Sequence, residues 1–307
     1  MPAIITHHIF GEDSSALLPE GILTGQEDLL AFLLGNQGPD PFWARFTTSP
    51  STARKCHQFA TSMHSQHVEK ALLALRSCVS HVREEDKSVA RAFALGMASH
   101  YILDRIGHPL VYATQTEIIS ADPSLQNASG EIHAIIEAEL DSWMLWEKRN
   151  MTVLDVPCTQ ALARTERIDR ICGAMLSQVA WEVFGIGIGA AEFGLAVRDY
   201  QLLYRVIDPP AKRLPHALAR IELLTRPHSR LLAQSHPVIT ESECAFANLE
   251  HRAWRDPVTN ELSVSSFPDL FHDALLAWPE FSRRLAEGNS ARLGAMTEGL
   301  DYNGVPQ

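Results

Sequence analysis

A chain of 307 residues with 46% hydrophobic content can bury a sizeable core, and its net charge of −11 disfavours a broad electrostatic grip on nucleic acid or anionic membrane. Affinity for a polyanion has to be local. Five cysteines (Cys56, Cys78, Cys158, Cys172, Cys244) are odd in number, widely spaced and without a CxxC pair, so they read as buried thiols of a reducing compartment.

The first residues, "MPAIITHHIFGEDSS", have neither the basic start nor the apolar run of a secretory signal, which predicts a cytoplasmic chain. No run without charge, "AFALGMASHYIL" (92–103) included, reaches the roughly 18 apolar residues of a membrane span, so no transmembrane helix is expected. Apolar residues three and four apart predict helices over residues 13–34, 52–82, 87–107, 130–149, 160–184, 189–206, 212–231 and 267–298. Turn chemistry separates them at 35–41, 107–109, 121–130, 155–158, 208–210 and 254–269. Strand-like alternation is almost absent, and an all-α fold follows. The expected organisation is one helical domain over 1–307, with a metal-binding half at 1–150 and a helical continuation at 151–307 completing the core. Nine of the fourteen histidines lie in the first 133 residues, which is where chemistry is sought.

Taken in chain order, "IITHHIFGE" (4–12) offers His7 and His8, which diverge in any regular structure, so at most one is a ligand. "LLGNQGPDPFW" (33–43) puts Asp40 in a glycine- and proline-rich loop, as a turn former or as a ligand. In "FATSMHSQHVEKALLAL" (59–75) only one of His64 and His67 can share the side of its apolar neighbours, and His64 is the choice; His57, His67 and His81 go to the surface. "HYILDRIGHP" (100–109) spaces His100, Asp104 and His108 four apart on one helix face, with Pro109 expected to end the helix. His100 and His108 are then about 12 Å apart, too far to share one ion at zinc–imidazole bonds of about 2.0–2.1 Å. A central carboxylate can instead bridge two ions about 3.5–4 Å apart. "EIHAIIEAELD" (131–141) adds His133 and Glu137, again four apart, while Glu139 and Asp141 point elsewhere. Such a pair alone also fits a solvated face, but its apolar neighbours make unpaired polar groups costly, and the two pairs are spaced as an antiparallel helical hairpin spaces them.

In this order "THHIFGE", "LGNQGPDPF", "SMH", "GMASHYILDRIGHP" and "HAIIEAELD" resemble the zinc-dependent phospholipase C family, itself similar in metal-site design to S1/P1-type nucleases. The resemblance covers roughly residues 5–145. It implies a multi-helical fold with a buried polynuclear cleft and two or three zinc ions. By the resemblance, Asp40, His64, His100 and Asp104 hold one ion, and His108, His133 and Glu137 hold a second. A third sits between the bridging Asp104 and His7, joined in secreted members by the terminal amine. Two features depart from the family pattern: the chain begins "MPAII" where secreted members begin at tryptophan, and only three residues separate Asp104 from His108. The lipid-binding β-sandwich of some toxins has no counterpart in residues 150–307, which read as helical.

The activity implied is hydrolysis of a phosphate ester, with a phospholipid cleaved on the glycerol side of its phosphodiester. Zinc would lower the pKa of a bound water from 15.7 toward about 7, and Asp40 would position or deprotonate that water. Two other readings stand beside it. One is a nuclease or nucleotide phosphatase on the same metals, favoured by Phe42, Trp43 and Tyr101 beside the ligands and disfavoured for long nucleic acid by the charge. The other is a non-catalytic helical scaffold stabilised by metal. "FGIGIGAAEFG" (184–194) has no βαβ context, so its glycines are assigned to close helix packing.

Overall fold

The computed structural model describes residues 4–208, 213–224, 227–287 and 297–307. Helices run in the order α1 (Ile4–Ser15), α2 (Gln26–Gly35), α3 (Pro50–Ser65), α4 (Val68–Cys78), α5 (Lys87–Ala121), α6 (Ser129–Arg149), α7 (Glu166–Phe184), α8 (Glu192–Ile207), α9 (Arg213–Glu222), α10 (Arg230–Ala233) and α11 (Phe267–Glu287). Among the described residues the only sheet is a small antiparallel hairpin, β1 (Trp254–Arg255) with β2 (Leu262–Ser263), inside a segment expected to be turn. The fold is all-α.

Local chemistry divides what periodicity joined. The span predicted over 13–34 is α1, a turn and α2, because apolar residues keep helical spacing on both sides of a break at "PEGILTG". The span over 52–82 breaks at His67, which takes a left-handed backbone at φ 52°; the Ser49 hydroxyl caps α3 by accepting from Thr52 N–H. The Thr165 hydroxyl likewise starts α7 at Glu166, later than residue 160, and Gly185 at φ 66° ends it. The span over 212–231 separates into α9 and α10. From the span over 267–298, α11 extends to Glu287, and residues 288–296 lie outside the described residues.

The largest correction concerns Pro109, which does not end its helix. Helix α5 continues through it to Ala121. Proline removes the N–H that would bond the Arg105 carbonyl and costs about 3 kcal/mol in a helix interior. Leu110, Val111 and Ala113 beyond it are all buried, and their burial offsets that cost. The continuation carries the His100 face on to Tyr112 and Gln115.

Helix α5 is the central strut, with α1, α2, α4, α6 and α11 packed around it. It meets α2 through Gly35 and Gly96, where a Cβ on Gly96 would collide with the Phe32 carbonyl. At the exit of α2, Gly38 adopts φ 55° and its missing side chain leaves room for the His100 ring. One apolar cluster runs from Ile4 to Tyr302 and surrounds this crossing. Of the glycines at 185–194, Gly194 on α8 packs closely on Asp169 of α7, but Gly185 caps α7 and a Cβ on Gly187 would meet nothing, so close helix packing holds for Gly194 and not for the stretch.

Candidate metal centre

All eight singled-out side chains converge from five elements. Asp104 sits in the middle of α5, 6% exposed, and each of its oxygens meets two histidines. Oδ1 lies 3.0 Å from His7 Nε2 and 3.6 Å from His108 Nε2. Oδ2 lies 3.1 Å from His100 Nε2 and 3.8 Å from His64 Nε2. Asp40, at the start of a short 3-10 turn (Asp40–Ala44), places Oδ1 3.1 Å from His64 Nε2 and 3.9 Å from His100 Nε2. On α6, Glu137 Oε1 is 3.2 Å from His133 Nε2 and 3.4 Å from His108 Nε2. Three neighbouring groups result, the first two sharing His100: His7, His100 and Asp104; Asp40, His64 and His100; His108, His133 and Glu137. His8 turns outward to Glu12 at 3.6 Å, and His57, His67 and His81 are exposed.

The outer nitrogens explain why the inner ones face this way. His64 Nδ1 donates to the Ala60 carbonyl (2.8 Å), His100 Nδ1 to that of Asn36 (3.0 Å) and His108 Nδ1 to that of Tyr302 (2.9 Å). A carbonyl only accepts, so each Nδ1 carries the proton and a neutral ring turns its Nε2 lone pair inward. His133 Nδ1 donates to Gln115 Oε1 (3.1 Å), and the Gln115 amide is oriented by its own donation to Ser129 Oγ (2.8 Å). Outer contacts of this kind are the ones by which histidines at metal sites are oriented.

Bare nitrogens and carboxylate oxygens at such distances repel unless a proton or a cation lies between them. Asp40 Oδ1, His100 Nε2 and His7 Nδ1 are buried polar atoms without a hydrogen-bond partner, which marks the cluster as incomplete without a further group. Bonds of about 2.0–2.1 Å in a tetrahedron set neighbouring ligand atoms about 3.3 Å apart, close to the shortest separations here. Imidazole and carboxylate together suit zinc. The residues therefore fit a polynuclear metal.

Charge is shared in the same sense. Burial alone raises Asp104, but His100, His108 and His7 outweigh it and hold the carboxyl well below the usual range. Burial is likewise overcome for Glu137, chiefly by His133, and for Asp40, chiefly by His100. Burial lowers His108, yet Asp104 and Glu137 bring it up to about 9. Burial dominates at His133 and lowers it.

The site opens on a cavity of about 190 Å³ bordered by Asp40, His64, Asp104, Glu137 and Trp43. Trp43, Tyr112 and His133 also line a groove of about 610 Å³, so the groove continues outward from the cavity. Trp43 stacks on His64 with centroids 4.5 Å apart. Phe42 instead packs in the core on Phe59 and Phe193. Tyr101 is fully buried and donates to the Leu300 carbonyl (3.0 Å).

Two contributions lie outside the half where chemistry was sought. The segment at 300–307 covers the site: Tyr302 N–H donates to the His64 carbonyl (3.0 Å), and its ring lies 4.7 Å from that of His64. Behind α1, buried Asp141 accepts from the N–H groups of Ile5 (2.9 Å) and Thr6 (2.8 Å), next to His7. His236 sits between Asp141 (3.1 Å) and Asp208 (2.6 Å), with the Cys158 thiol on Asp208. At 2.6 Å the His236–Asp208 contact is a hydrogen bond, shorter than the edge a shared ion needs, so this second cluster is a buried brace. Only backbone carbonyls and distant partners mark these roles, and neither leaves a sequence pattern.

The family model described as zinc dependent phospholipase C matches residues 2–182, more than half of the chain. The chain belongs to this family. As a zinc-dependent phospholipase C family member it is a metal-dependent hydrolase by kind, and its eight clustered side chains all lie within the matched residues. Tyr302, Asp208 and His236 lie beyond them. Nothing among curated proteins or solved structures matches the chain. No helix of the described residues is long and apolar enough to cross a membrane.

Proposed function

We propose that this family member is a zinc-dependent phosphodiesterase that cleaves a phospholipid-type ester on the glycerol side of its phosphate. Asp40, His64, His100 and Asp104 hold one ion; His108, His133 and Glu137 hold a second; Asp104 and His7 hold a third. The observation that carries this reading is Asp104, whose two oxygens each face two imidazole nitrogens at the centre of the cluster. Bound zinc supplies positive charge opposite the phosphoryl oxygens and acidifies the attacking water.

The chain's own residues do the remainder. Despite burial, Asp40 is kept ionised, chiefly by His100 and also by His64, and it lines the cavity, so it is the group that accepts the proton of the water. The Nδ1 donations of His64, His100 and His108 hold those rings still while charge moves. Trp43 and Tyr112 wall the passage from cavity to groove, where the rest of the ester lies.

The test is hydrolysis of a soluble nitrophenyl phosphocholine by the purified protein with and without chelator. Asp40→Asn should lose about a hundredfold or more in kcat while keeping its fold, because an amide oxygen can coordinate but cannot take a proton. Absence of chelator-sensitive hydrolysis of choline, ethanolamine and nucleotide esters alike would overturn the reading. Cleavage of nucleotide esters alone would move the assignment to a nuclease or nucleotide phosphatase.

A further inference from the structure

His7 differs from the other four histidines of the cluster. The rings of His64, His100, His108 and His133 are each oriented by a hydrogen bond from Nδ1 to an acceptor behind it. His7 Nδ1 is buried and meets no such acceptor among the described residues, although its Nε2 lies 3.0 Å from Asp104 Oδ1. Stacking on the His100 ring, with centroids 3.9 Å apart, restrains the tilt of the imidazole and leaves sliding open. The position of His7 therefore comes from the backbone that carries it.

The first turn of α1 is held at three points. Ile5 N–H and Thr6 N–H donate to Asp141 Oδ2 (2.9 Å) and Oδ1 (2.8 Å), and the Ile4 carbonyl accepts from Gln37 Nε2 (3.1 Å). N–H groups in a first turn have no partner within their helix, and a carboxylate suits the positive end of its dipole. Asp141 stands one turn beyond Glu137 on α6 and is wholly buried. Behind it, His236 Nε2 lies 3.1 Å from Asp141 Oδ2 and His236 Nδ1 2.6 Å from Asp208 Oδ2, while the His236 backbone N–H donates to Asp208 Oδ1 (2.9 Å). Both ring nitrogens face carboxylate oxygens, and an imidazole donates from both only as the cation. Burial by itself would lower the His236 pKa, but Asp208 and Asp141 hold it well above its ordinary value. A buried cation between two anions cannot relax piece by piece, because removing one charge strands another without its partner. Asp141 is thereby fixed as the acceptor for α1.

We infer that the line Asp208, His236, Asp141 is the outer support that the His7 ring lacks: it positions His7 through the first turn of α1 and so governs the ion between His7 and Asp104, separately from the other two. These three are positioning residues, and none of them borders the cavity. The inference rests on the three-ion reading above.

Release of zinc from the purified full chain to a competing chelator, followed step by step, tests it, with elemental analysis for the total. In Asp141→Asn one N–H of α1 faces an amide N–H₂ where an oxygen stood. The most weakly held ion should then leave about 10–100-fold more readily, the cost of losing an outer partner, while the others stay as tightly held as in the wild type. Asp208→Asn keeps both α1 hydrogen bonds and should shift the same ion in the same direction by less; it serves also where Asp141→Asn does not fold. In the His7→Ala background neither substitution should release any ion more readily than His7→Ala alone, because a residue that acts only through His7 has nothing left to act on. Even loss from every position, no loss from any, or a further loss added to that of His7→Ala would overturn the inference. The metal reading fails differently: if His7→Ala itself releases nothing, no ion sits at His7, and the inference falls together with that third position.

Discussion

Asp104 is the residue on which the proposed centre turns. Replacing it with asparagine leaves one oxygen and puts an N–H₂ where the other stood, so the two sides of the cluster lose their common ligand. Asp104→Asn should therefore retain fewer ions than His7→Ala, by at least one on the order of the whole-ion stoichiometry that zinc sites show. Elemental analysis after mild purification measures both; equal losses would make the His7 position as integral as the bridge. His108 makes a second prediction, about pH. Burial pulls its pKa down, but Asp104 and Glu137 raise it from the ordinary 6.5 to about 9 when no metal competes. The stabilisation from protonated His108 is thus fully present below pH 6.5 and lost as pH rises through about 9. Chelated protein should lose melting temperature across that window, whereas zinc-loaded protein, whose His108 is already deprotonated, should not. A chelated protein with a flat profile would show that the pairs with Asp104 and Glu137 do not hold the proton.

Helices α2 and α5 must touch backbone to backbone for these residues to meet. Gly35 and Gly96 allow it, and Asn36, one residue past α2, then reaches His100 with its carbonyl. Gly96→Ala forces a methyl against the Phe32 carbonyl and should destabilise by about 1–3 kcal/mol, the usual cost of overpacking. Because the same shift moves Asn36 and Asp40 away from His100, zinc retention should fall with it, which thermal melts and elemental analysis on one sample can show. A stable variant with full zinc would mean that the crossing tolerates separation. The stripe His100, Asp104, His108 was readable because helical spacing is local. The passage of α5 through Pro109 was not, since the burial of Leu110, Val111 and Ala113 that outweighs the proline depends on the packed partners.

Over the whole molecule, the last residues close what the first half begins. Removing residues 300–307 would take away the Tyr302 carbonyl that accepts from His108 and the N–H that caps the His64 carbonyl. Loss of such an outer partner typically costs about 10–100-fold in metal affinity, so competition with a chelator should show zinc released more readily from the truncated chain. Unchanged affinity would assign the segment to packing alone.

Read without coordinates, the sequence already determined the helical class and the spacing that sets His100, Asp104 and His108 on one helix face, because periodicity and the reach of a side chain are properties of neighbouring residues. It could also choose His64 over His67, a choice that turned on which face of a local segment is apolar, whereas between His7 and His8 only the family resemblance chose. Only the tertiary structure decided where helices stop, which backbone carbonyls hold each imidazole, and that Tyr302 and the Asp141–His236–Asp208 brace stand behind the cluster. Those depend on contacts between residues as far apart as Ile5 and Asp141, or His108 and Tyr302, and a carbonyl carries no residue type by which a sequence could announce it.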